Sequence, residues 1–514
     1  MSRAARDDSA NRRGERAMPL SELLAGEATV TSAFNPNVHG LSADSRDLRE
    51  GDAFIALAGG STHGLRFLEQ AQAAGVAAVL FETPAPANIA LPANAVAVDG
   101  LRSKLGRVAD RFYRSPSRAM AMTGVTGTNG KTSTVQLIAQ ALTLGGSVAG
   151  TIGTLGAGLF GSHVAGERTT PDVIVVHRLL AQMRDQGATQ VAMEVSSHAL
   201  EQGRVDAVAF RVAVFTNLTH DHLDFHGSME AYAAAKARLF EFESLEHAVL
   251  NLDDVVGVRL ARRLAERGLP TTGYSLSAEG IAPGSVGQFI AAREIRVAPA
   301  STQVVLVTSW GERETTLRQL GRFNVSNILG VLGCLAARGL DIDAALAAIA
   351  NLPDVPGRMQ RLGGAGRPLV VIDYAHTPDA LEKALHALRP VADAGSGQVV
   401  ALFGAGGDRD ALKRPRMGEV ASRLADRIVL TSDNPRSENP LAIIDAIRSG
   451  VSIAHEVEPD RARAIAAAIR AAQPCDVVLI AGKGHETYQE IAGRRLPFSD
   501  VVVAEQSLAA WGHE

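Results

Sequence analysis

Apolar residues along the chain fall into short unbroken runs separated by stretches with helical spacing. Between Met18 and Ser117 the runs "AFIALAG", "VAAVLFE" and "AVAVDG" alternate with small helical segments and predict a compact α/β domain. From "RSPSRAMAMTGVTGTNGKTSTVQLIAQAL" onward the pattern becomes loop, apolar strand, glycine turn and amphipathic helix. Strands follow at "QVAMEV", "AVAFRVAVFTN" and "HAVLNLDD". A β-rich patch over "FIAAREIRVAPASTQVVLVTSW" comes next, then helices starting near Asn324 and Ile342. This middle stretch predicts one large domain, a central sheet with helices around it. After "LPDVPGRMQRL" the order turns regular. Strands at "LVVIDYA", "QVVALFGA", "RIVLTS" and "DVVLIAG" alternate with helices at "PDALEKALHAL", "KRPRMGEVASRLA", "PLAIIDAIRSG" and "RARAIAAAIRAA". Unbroken Val, Ile and Leu in strands followed by helices predict a parallel sheet covered on both faces. Ligands bind such sheets at the carboxyl ends of the strands, which singles out the loops "GAGGDRD", "SDNPRSENP" and "AGKGHETYQ".

The expected class is therefore α/β in three domains, at residues 18–117, 118–356 and 357–514, the last a doubly wound Rossmann-like unit. A length of 514 residues fits more than one core. Lys plus Arg total 51 against 55 Asp plus Glu, a net charge of -4, which gives no support to a nucleic-acid partner. The two cysteines, Cys334 and Cys475, each lie in an apolar run and are expected as buried thiols in a reducing compartment. No apolar run reaches membrane-spanning length, so no membrane partner is expected. Residues 1–17 mix both charges without the apolar stretch of a signal peptide, and are read as a disordered tail on a cytoplasmic, monomeric protein.

Candidate chemistry begins at "TGVTGTNGKTST". Glycines between a strand and a helix let backbone N–H groups turn toward phosphate, and the helix N-terminus adds its dipole. Gly127, Thr128, Asn129, Gly130, Lys131, Thr132 and Ser133 would form this turn, with Lys131 on the terminal phosphates and the Thr132 hydroxyl on magnesium. The general phosphate-loop pattern wants glycine where Val125 stands. Glu194 closes the strand "QVAME", and "TNLTHDHLDFHGS" gathers His220, Asp221, His222, Asp224 and His226. That set reads as a zinc site, as one carboxylate and one imidazole for magnesium, or as a polar loop capping a helix. Lys236, in the Ala-rich "AYAAAKARLF", reads on its own as a solvated surface lysine.

These motifs carry a resemblance. "TGVTGTNGKTST", "MEVSSHAL", "TNLTHDHLDFHG", "GRFNVSNILG", "PGRMQRL", "VIDYAHTPDAL" and "GAGGDRD" occur in the order found in the Mur ligases, over roughly Ser42 to Asp500. The family's loop, Thr-Gly-x-x-Gly-Thr-Asn-Gly-Lys, accommodates Val125. The resemblance implies ATP and magnesium as cofactors and amide synthesis through an acyl phosphate, with a UDP-binding first domain and an ATP-binding middle domain. It implies that Lys131 and Thr132 hold phosphate and magnesium, that Glu194 and His222 ligate magnesium, and that Lys236 does so as a carbamate. Asn327, Arg358 and Asp373 would meet the adenine, phosphate and ribose of ATP, although Asn327 reads equally as a helix cap and Asp373 as a strand-end acid. Ser45, His63, Thr169, Thr170, Ser196, Gln202 and Arg204 would contact a UDP-sugar-peptide, Ser45 and His63 reading equally as turn caps.

The stretch "TSDNPRSENP" narrows the resemblance to the family's meso-diaminopimelate adders. These act on the D-glutamate γ-carboxylate of UDP-N-acetylmuramoyl-L-alanyl-D-glutamate. Diaminopimelate carries a carboxylate at its far end that lysine lacks, and the planar fork of arginine suits it. Arg436 is the expected clamp, with Pro435 stiffening its turn and Asp433 and Asn434 meeting the distal groups. Arg409 would be a second cation, and Gly482 and Glu486 would receive the distal amine. Read without the family, Asp433 caps the next helix and Arg436 is a surface residue. Lysine addition, folylpolyglutamate synthesis and a phosphate-loop NTPase switch are the competing functions.

Overall fold

In the computed structural model, residues 17–60, 62–164, 166, 168–280, 284–298 and 301–512 are described, so the tail expected over 1–17 lies outside them apart from Ala17. The chain divides into two units. The first runs to Val249 and adds Glu266–Pro270; the second takes Leu250–Ala265 and continues from Thr271. The expected divisions at 117/118 and 356/357 fall within these units, each between two sheets.

The first unit opens with four parallel strands in sequential order, β1 (Gly40–Ser42), β2 (Asp52–Ala56), β3 (Ala78–Glu82) and β4 (Ala95–Val98). Helix α1 (Leu101–Phe112) covers one face with Leu101, Leu105, Val108 and Phe112 at helical spacing. The chain then enters a second sheet. Its members are β5 (Ala121–Thr126), α2 (Lys131–Leu144), β6 (Ala149–Gly153), β7 (Gly156–Leu159), α3 (Val173–Asp185) and β8 (Gln190–Glu194). They continue with α4 (Ser197–Glu201), β9 (Phe210–Phe215), α5 (Leu223–His226), α6 (Met229–Ala237) and β10 (His247–Asn251). The strand order is β10-β9-β5-β8-β6-β7, and β5 is parallel to both β8 and β9. The strand leading into the glycine turn is thus central. Helix α2 departs from the amphipathic expectation, being buried on every side from Thr132 to Leu142. It lies against β8, β6 and β5, and its Gln136 amide donates to Thr151 at 3.4 Å.

The second unit holds β11 (Thr271–Ser275), β12 (Gln288–Val297), β13 (Thr302–Thr308) and β14 (Gly311–Leu317), with β12 to β14 antiparallel, and helices α7 (Arg322–Ala337) and α8 (Ile342–Ala350). The regular block follows as β15 (Gln360–Gly363), β16 (Leu369–Asp373), α9 (Pro378–Ala394), β17 (Val399–Phe403), α10 (Lys413–Leu424) and β18 (Arg427–Leu430). It ends with α11 (Pro440–Arg448), β19 (His455–Val457), α12 (Arg461–Arg470), β20 (Val477–Ala481), the hairpin β21 (Tyr488–Ile491) and β22 (Arg494–Pro497), and α13 (Asp500–Ala510). The sheet order is β15-β16-β20-β17-β18-β19, with buried helices on both faces. It is parallel except at one edge, where β15 pairs antiparallel with β16. One expectation fails here. Cys475 is exposed, because it sits in the turn closed by Asp476 N–H to the Gln473 carbonyl, one residue before the buried run begins. Cys334 is buried in α7 as expected.

Two fully buried charges lock this sheet. Arg461 opens α12 and pairs with Asp500, which opens α13, through Nε to Oδ1 at 2.7 Å and Nη2 to Oδ2 at 2.8 Å. The same guanidinium donates to the Ser432 carbonyl after β18 at 3.2 Å and to the Ala481 carbonyl ending β20 at 2.9 Å. Removing one partner leaves the other charged and unpaired in the interior. We expect Asp500→Ala to lower the stability of the second unit by about 3–5 kcal/mol, read as a shifted urea midpoint, whereas Arg463→Ala, on the exposed face of α12, costs under about 1 kcal/mol.

Candidate active site

The glycine turn is braced from the chain after β9. Thr128 N–H donates to the Asn217 carbonyl at 2.8 Å and Asn129 N–H to the Asn217 side-chain oxygen at 3.0 Å; the Thr216 hydroxyl donates to the Asn129 carbonyl at 2.6 Å. Gly127 has φ 148°, and a Cβ there would collide with the Thr216 hydroxyl, so the loop needs glycine at this position. Gly130, at φ 86°, starts α2. Lys131 Nζ donates to the Gly127 and Thr128 carbonyls, both at 2.9 Å. The Thr132 hydroxyl donates to Glu194 at 3.0 Å, and Glu194 also accepts from Thr154 N–H at 2.7 Å. Ser133 is buried behind it.

Lys236 is not a surface residue. Only 1% exposed, it donates to the Gly127 carbonyl at 2.9 Å and lies 4.4 Å over the Tyr232 ring. Burial, with Lys131 nearby, holds its amine well below the ordinary lysine range. His222 is half exposed on a left-handed turn at φ 52°, with Nε2 3.4 Å from Asp221. His198, which sequence reasoning passed over in "VSSHAL", packs edge-on to His222 at 4.9 Å and near His226 at 5.4 Å. Burial lowers the pKa of all three imidazoles. Among the described residues no three His, Cys, Asp or Glu side chains gather as a metal cage, so the zinc reading of "THDHLDFH" is set aside. Glu194 with the Thr132 hydroxyl is a pair of hard oxygen donors of the kind that suits magnesium.

Five of the seven residues read for the UDP-sugar-peptide are linked by hydrogen bonds to Glu194, mostly through Thr170. The Thr170 hydroxyl donates to the Glu194 carbonyl at 2.8 Å and accepts from Ser196 N–H at 3.2 Å; Thr169 is bridged to Glu194 by Thr154. Arg204 donates to the Thr170 carbonyl at 2.9 Å and to the Gln202 side chain at 3.0 Å. Ser196 also caps α4. Ser45 and His63 stand apart at the first sheet: Ser45 donates to Gln70 at 2.6 Å, and His63 caps the turn at Leu65 while meeting the Glu82 carbonyl at 2.8 Å.

In the second unit the three strand-end loops interlock. Asp433 does not cap the next helix, a role taken by Asn439; its carboxylate accepts from Asn434 N–H at 2.6 Å. Asn434 donates from Nδ2 to Glu486 at 2.7 Å. Lys483, absent from the sequence-based set though it sits in "AGKGHE", is fully buried against both. Arg436 takes φ 52°, donates Nη1 to the Gly407 carbonyl at 2.6 Å, and has Nε 3.5 Å from Glu490. Its backbone pairs with β21, N–H to the Glu490 carbonyl at 3.0 Å. A Cβ on Gly406 would lie 3.0 Å from Arg436 Nη1 and 3.8 Å from Arg409 Cγ, so the two cations flank that glycine. Gly482, at φ 116°, faces the Asp433 carboxylate where any side chain would collide.

Asn327 is no cap. It lies inside α7, whose cap is Gly321, and donates to Asn324 at 3.3 Å. Asp373 ends β16 and accepts from Met359 and Ala375 N–H, each at 2.8 Å; burial raises its pKa. Arg358 stacks 4.5 Å over Tyr374, whose ring lies 5.4 Å from His485.

A glycine turn on a central strand, a carboxylate beside it and a doubly wound unit with charged strand-end loops define an enzyme class that activates a carboxylate with a nucleotide. The chain belongs to the Mur ligase family. Family models match as "Mur ligase family, catalytic domain" over 37–113, "Mur ligase middle domain" over 125–335 and "Mur ligase, glutamate ligase domain" over 357–484. It is 52% identical to the UDP-N-acetylmuramoyl-L-alanyl-D-glutamate–2,6-diaminopimelate ligase of Xanthomonas campestris pv. campestris (strain 8004), covering 96% of this chain and 98% of that one. It is 51% identical to the protein of that name from Pseudomonas aeruginosa PAO1, over 92% and 95%. A solved structure of a ligase so named aligns at TM-score 0.70 and 35% identity, covering 97% of this chain and all of the other.

Burial, with Arg358 and Lys483 nearby, holds the His485 imidazole at about 4. As pH falls, the unfolded chain takes up this proton near 6.5 and the folded one only near 4, so stability present above pH 6.5 is lost across that window. The full loss is on the order of 3 kcal/mol. His485→Gln removes it: urea midpoints measured from pH 7 to 4 fall less steeply in the variant than in the parent.

Proposed function

We propose that the chain uses ATP to join meso-diaminopimelate to the D-glutamate γ-carboxylate of UDP-N-acetylmuramoyl-L-alanyl-D-glutamate, in the cytoplasmic synthesis of peptidoglycan precursors. The observation that carries the reading is the cluster of Arg436, Asn434 and Glu486 at the strand ends of the second unit. It offers a cation at Arg436 and a carboxylate at Glu486, as an amino acid with a distal carboxylate and a distal ammonium requires. L-Lysine has no distal carboxylate to offer Arg436, which would keep only its contact with Glu490 and lose the substrate's anion. The names of the two relatives and of the solved structure agree with this choice.

A carboxylate is a poor electrophile. Its oxygen attacks the terminal phosphorus of ATP, ADP leaves, and the acyl phosphate has a good leaving group. The free amine then attacks the carbonyl carbon, loses a proton and expels phosphate. Charge gathers on oxygens in both steps, so cations stabilise both. Lys131 supplies one at the glycine turn, whose residues Gly127 to Ser133 would hold the phosphates. Asn327, Arg358 and Asp373 are assigned to the adenine, phosphate and ribose of the nucleotide. Thr169, Thr170, Ser196, Gln202 and Arg204 would hold the dipeptide and sugar, and Ser45 and His63 the uridine diphosphate end. Thr132, Glu194 and His222 would hold magnesium, which when bound neutralises phosphate oxygens.

An ammonium at Lys236 would repel that ion, but the buried amine is deprotonated far more readily than usual. A neutral amine attacks carbon dioxide, forming a C–N bond and releasing a proton, and the resulting carbamate is an anionic oxygen ligand. Native mass spectrometry should show the carbon dioxide adduct, and Lys236→Ala should lose activity. No adduct together with full activity of the variant would rule the carbamate out.

The function itself is tested by phosphate release from ATP with the UDP-muramoyl dipeptide and either amino acid. Release is expected with meso-diaminopimelate, together with the tripeptide product, and reduced by several orders of magnitude with L-lysine. Equal release with lysine would mean Arg436 does not select, and release with neither amino acid would favour an NTPase switch.

A further inference from the structure

Lys483 is a buried cation that the reaction scheme does not use. It is fully buried, and its ammonium donates to Asn434 Oδ1 at 2.9 Å and to Glu486 Oε2 at 2.8 Å. Asn434 Oδ1 accepts a second bond, from Glu490 N–H at 2.9 Å. With two donors on its oxygen, the Asn434 amide has one orientation: flipping it would set NH2 against an ammonium and a backbone N–H. Its Nδ2 is thereby aimed at Glu486 Oε2, at 2.7 Å. Oε2 of Glu486 thus accepts from two protein donors, whereas no hydrogen bond to Oε1 occurs among the described residues. The Glu486 side chain keeps 18% of its surface exposed.

We propose that Lys483 is the positioning residue of the amino-acid site. By engaging Asn434 Oδ1 and Glu486 Oε2 together, it fixes both side chains and leaves Glu486 Oε1 as the acceptor for an ammonium of the incoming diamino acid. The cation also lies 2.8 Å from the carboxylate, so Glu486 needs no mobile counter-ion between ligands. The inference rests on the amino-acid site proposed above and adds what holds that site in shape. It differs from a purely structural role in one respect. Losing Lys483 unfixes one acceptor of one substrate, and the remaining substrates meet other residues.

The test is steady-state kinetics on the full chain with each substrate varied in turn. In Lys483→Met, KM for meso-diaminopimelate should rise about 10- to 100-fold, as for loss of a charged hydrogen bond, with KM for ATP and for the UDP-dipeptide changed less than about threefold. Lys483→Arg, which keeps a cation, should recover part of the loss. In a Glu486→Gln background the same Lys483→Met change should add little, since the group it positions is gone. Should Lys483→Met fail to fold, Lys483→Gln keeps one donor and carries the same comparison. An unchanged KM for diaminopimelate, or an equal loss across all three substrates, overturns the inference while leaving the ligase reading intact. A parent enzyme that does not use diaminopimelate overturns the ligase reading first, and is seen before any variant is made.

Discussion

The buried pair of Arg461 and Asp500 is the constraint on which the second unit's chemistry depends. Parallel strands end in carbonyls that have no ladder partner, and loops leaving those ends are free to wander unless something takes the carbonyls up. One guanidinium takes those of Ser432 and Ala481, the residues where two functional loops depart, while its fork is fixed by Asp500. Such a pair is not an economical way to gain stability, since both charges are fully desolvated. Its geometry is its use. A hydrophobic replacement could fill the volume, but it could not bind two carbonyls at set distances from the sheet.

Much of this was legible in the sequence because strands and loops differ in composition. Runs such as "VVLIA" and "VVALF" can only be buried strands, so the polar residues after them had to lie at strand ends. That puts "GAGGDRD", "SDNPRSENP" and "AGKGHETYQ" together at one end of the sheet. What stayed hidden were matters of environment. Lys236 and Lys483 look like any lysine, and nothing local says that one faces a backbone carbonyl and the other a carboxylate in the interior. The hairpin Tyr488–Pro497 carries no apolar strand pattern, because its side chains are half-buried or exposed. Cys475 misled because burial begins one residue later.

The glycine turn shows how backbone, not side chains, sets the charge arrangement of the first unit. Lys131 and Lys236 both donate to the Gly127 carbonyl, so two amines share one acceptor in a mostly buried place. Two full charges there would repel at short range in a medium that screens poorly. The structure relieves this at Lys236, the more deeply buried of the two, by favouring its neutral form. Lys131 keeps partial access to solvent and stays available to an anion. The same carbonyl therefore holds two lysines that differ in burial and in the ease with which they lose a proton.

A similar sorting operates in the second unit, where the polar atoms are largely satisfied by one another. Asn434 is committed at both ends, one oxygen of Glu486 is taken twice, and Arg436 has Nη1 bonded to Gly407 and Nε beside Glu490. On these side chains, Arg436 Nη2 and Glu486 Oε1 make no hydrogen bond among the described residues. One is a donor on a cation and the other an acceptor on an anion. A ligand that completes both must present an anion and a cation at the same end, and diaminopimelate has both at its distal end where lysine has only an ammonium. Specificity is therefore written less in which residues are present than in which of their atoms the fold has left unanswered.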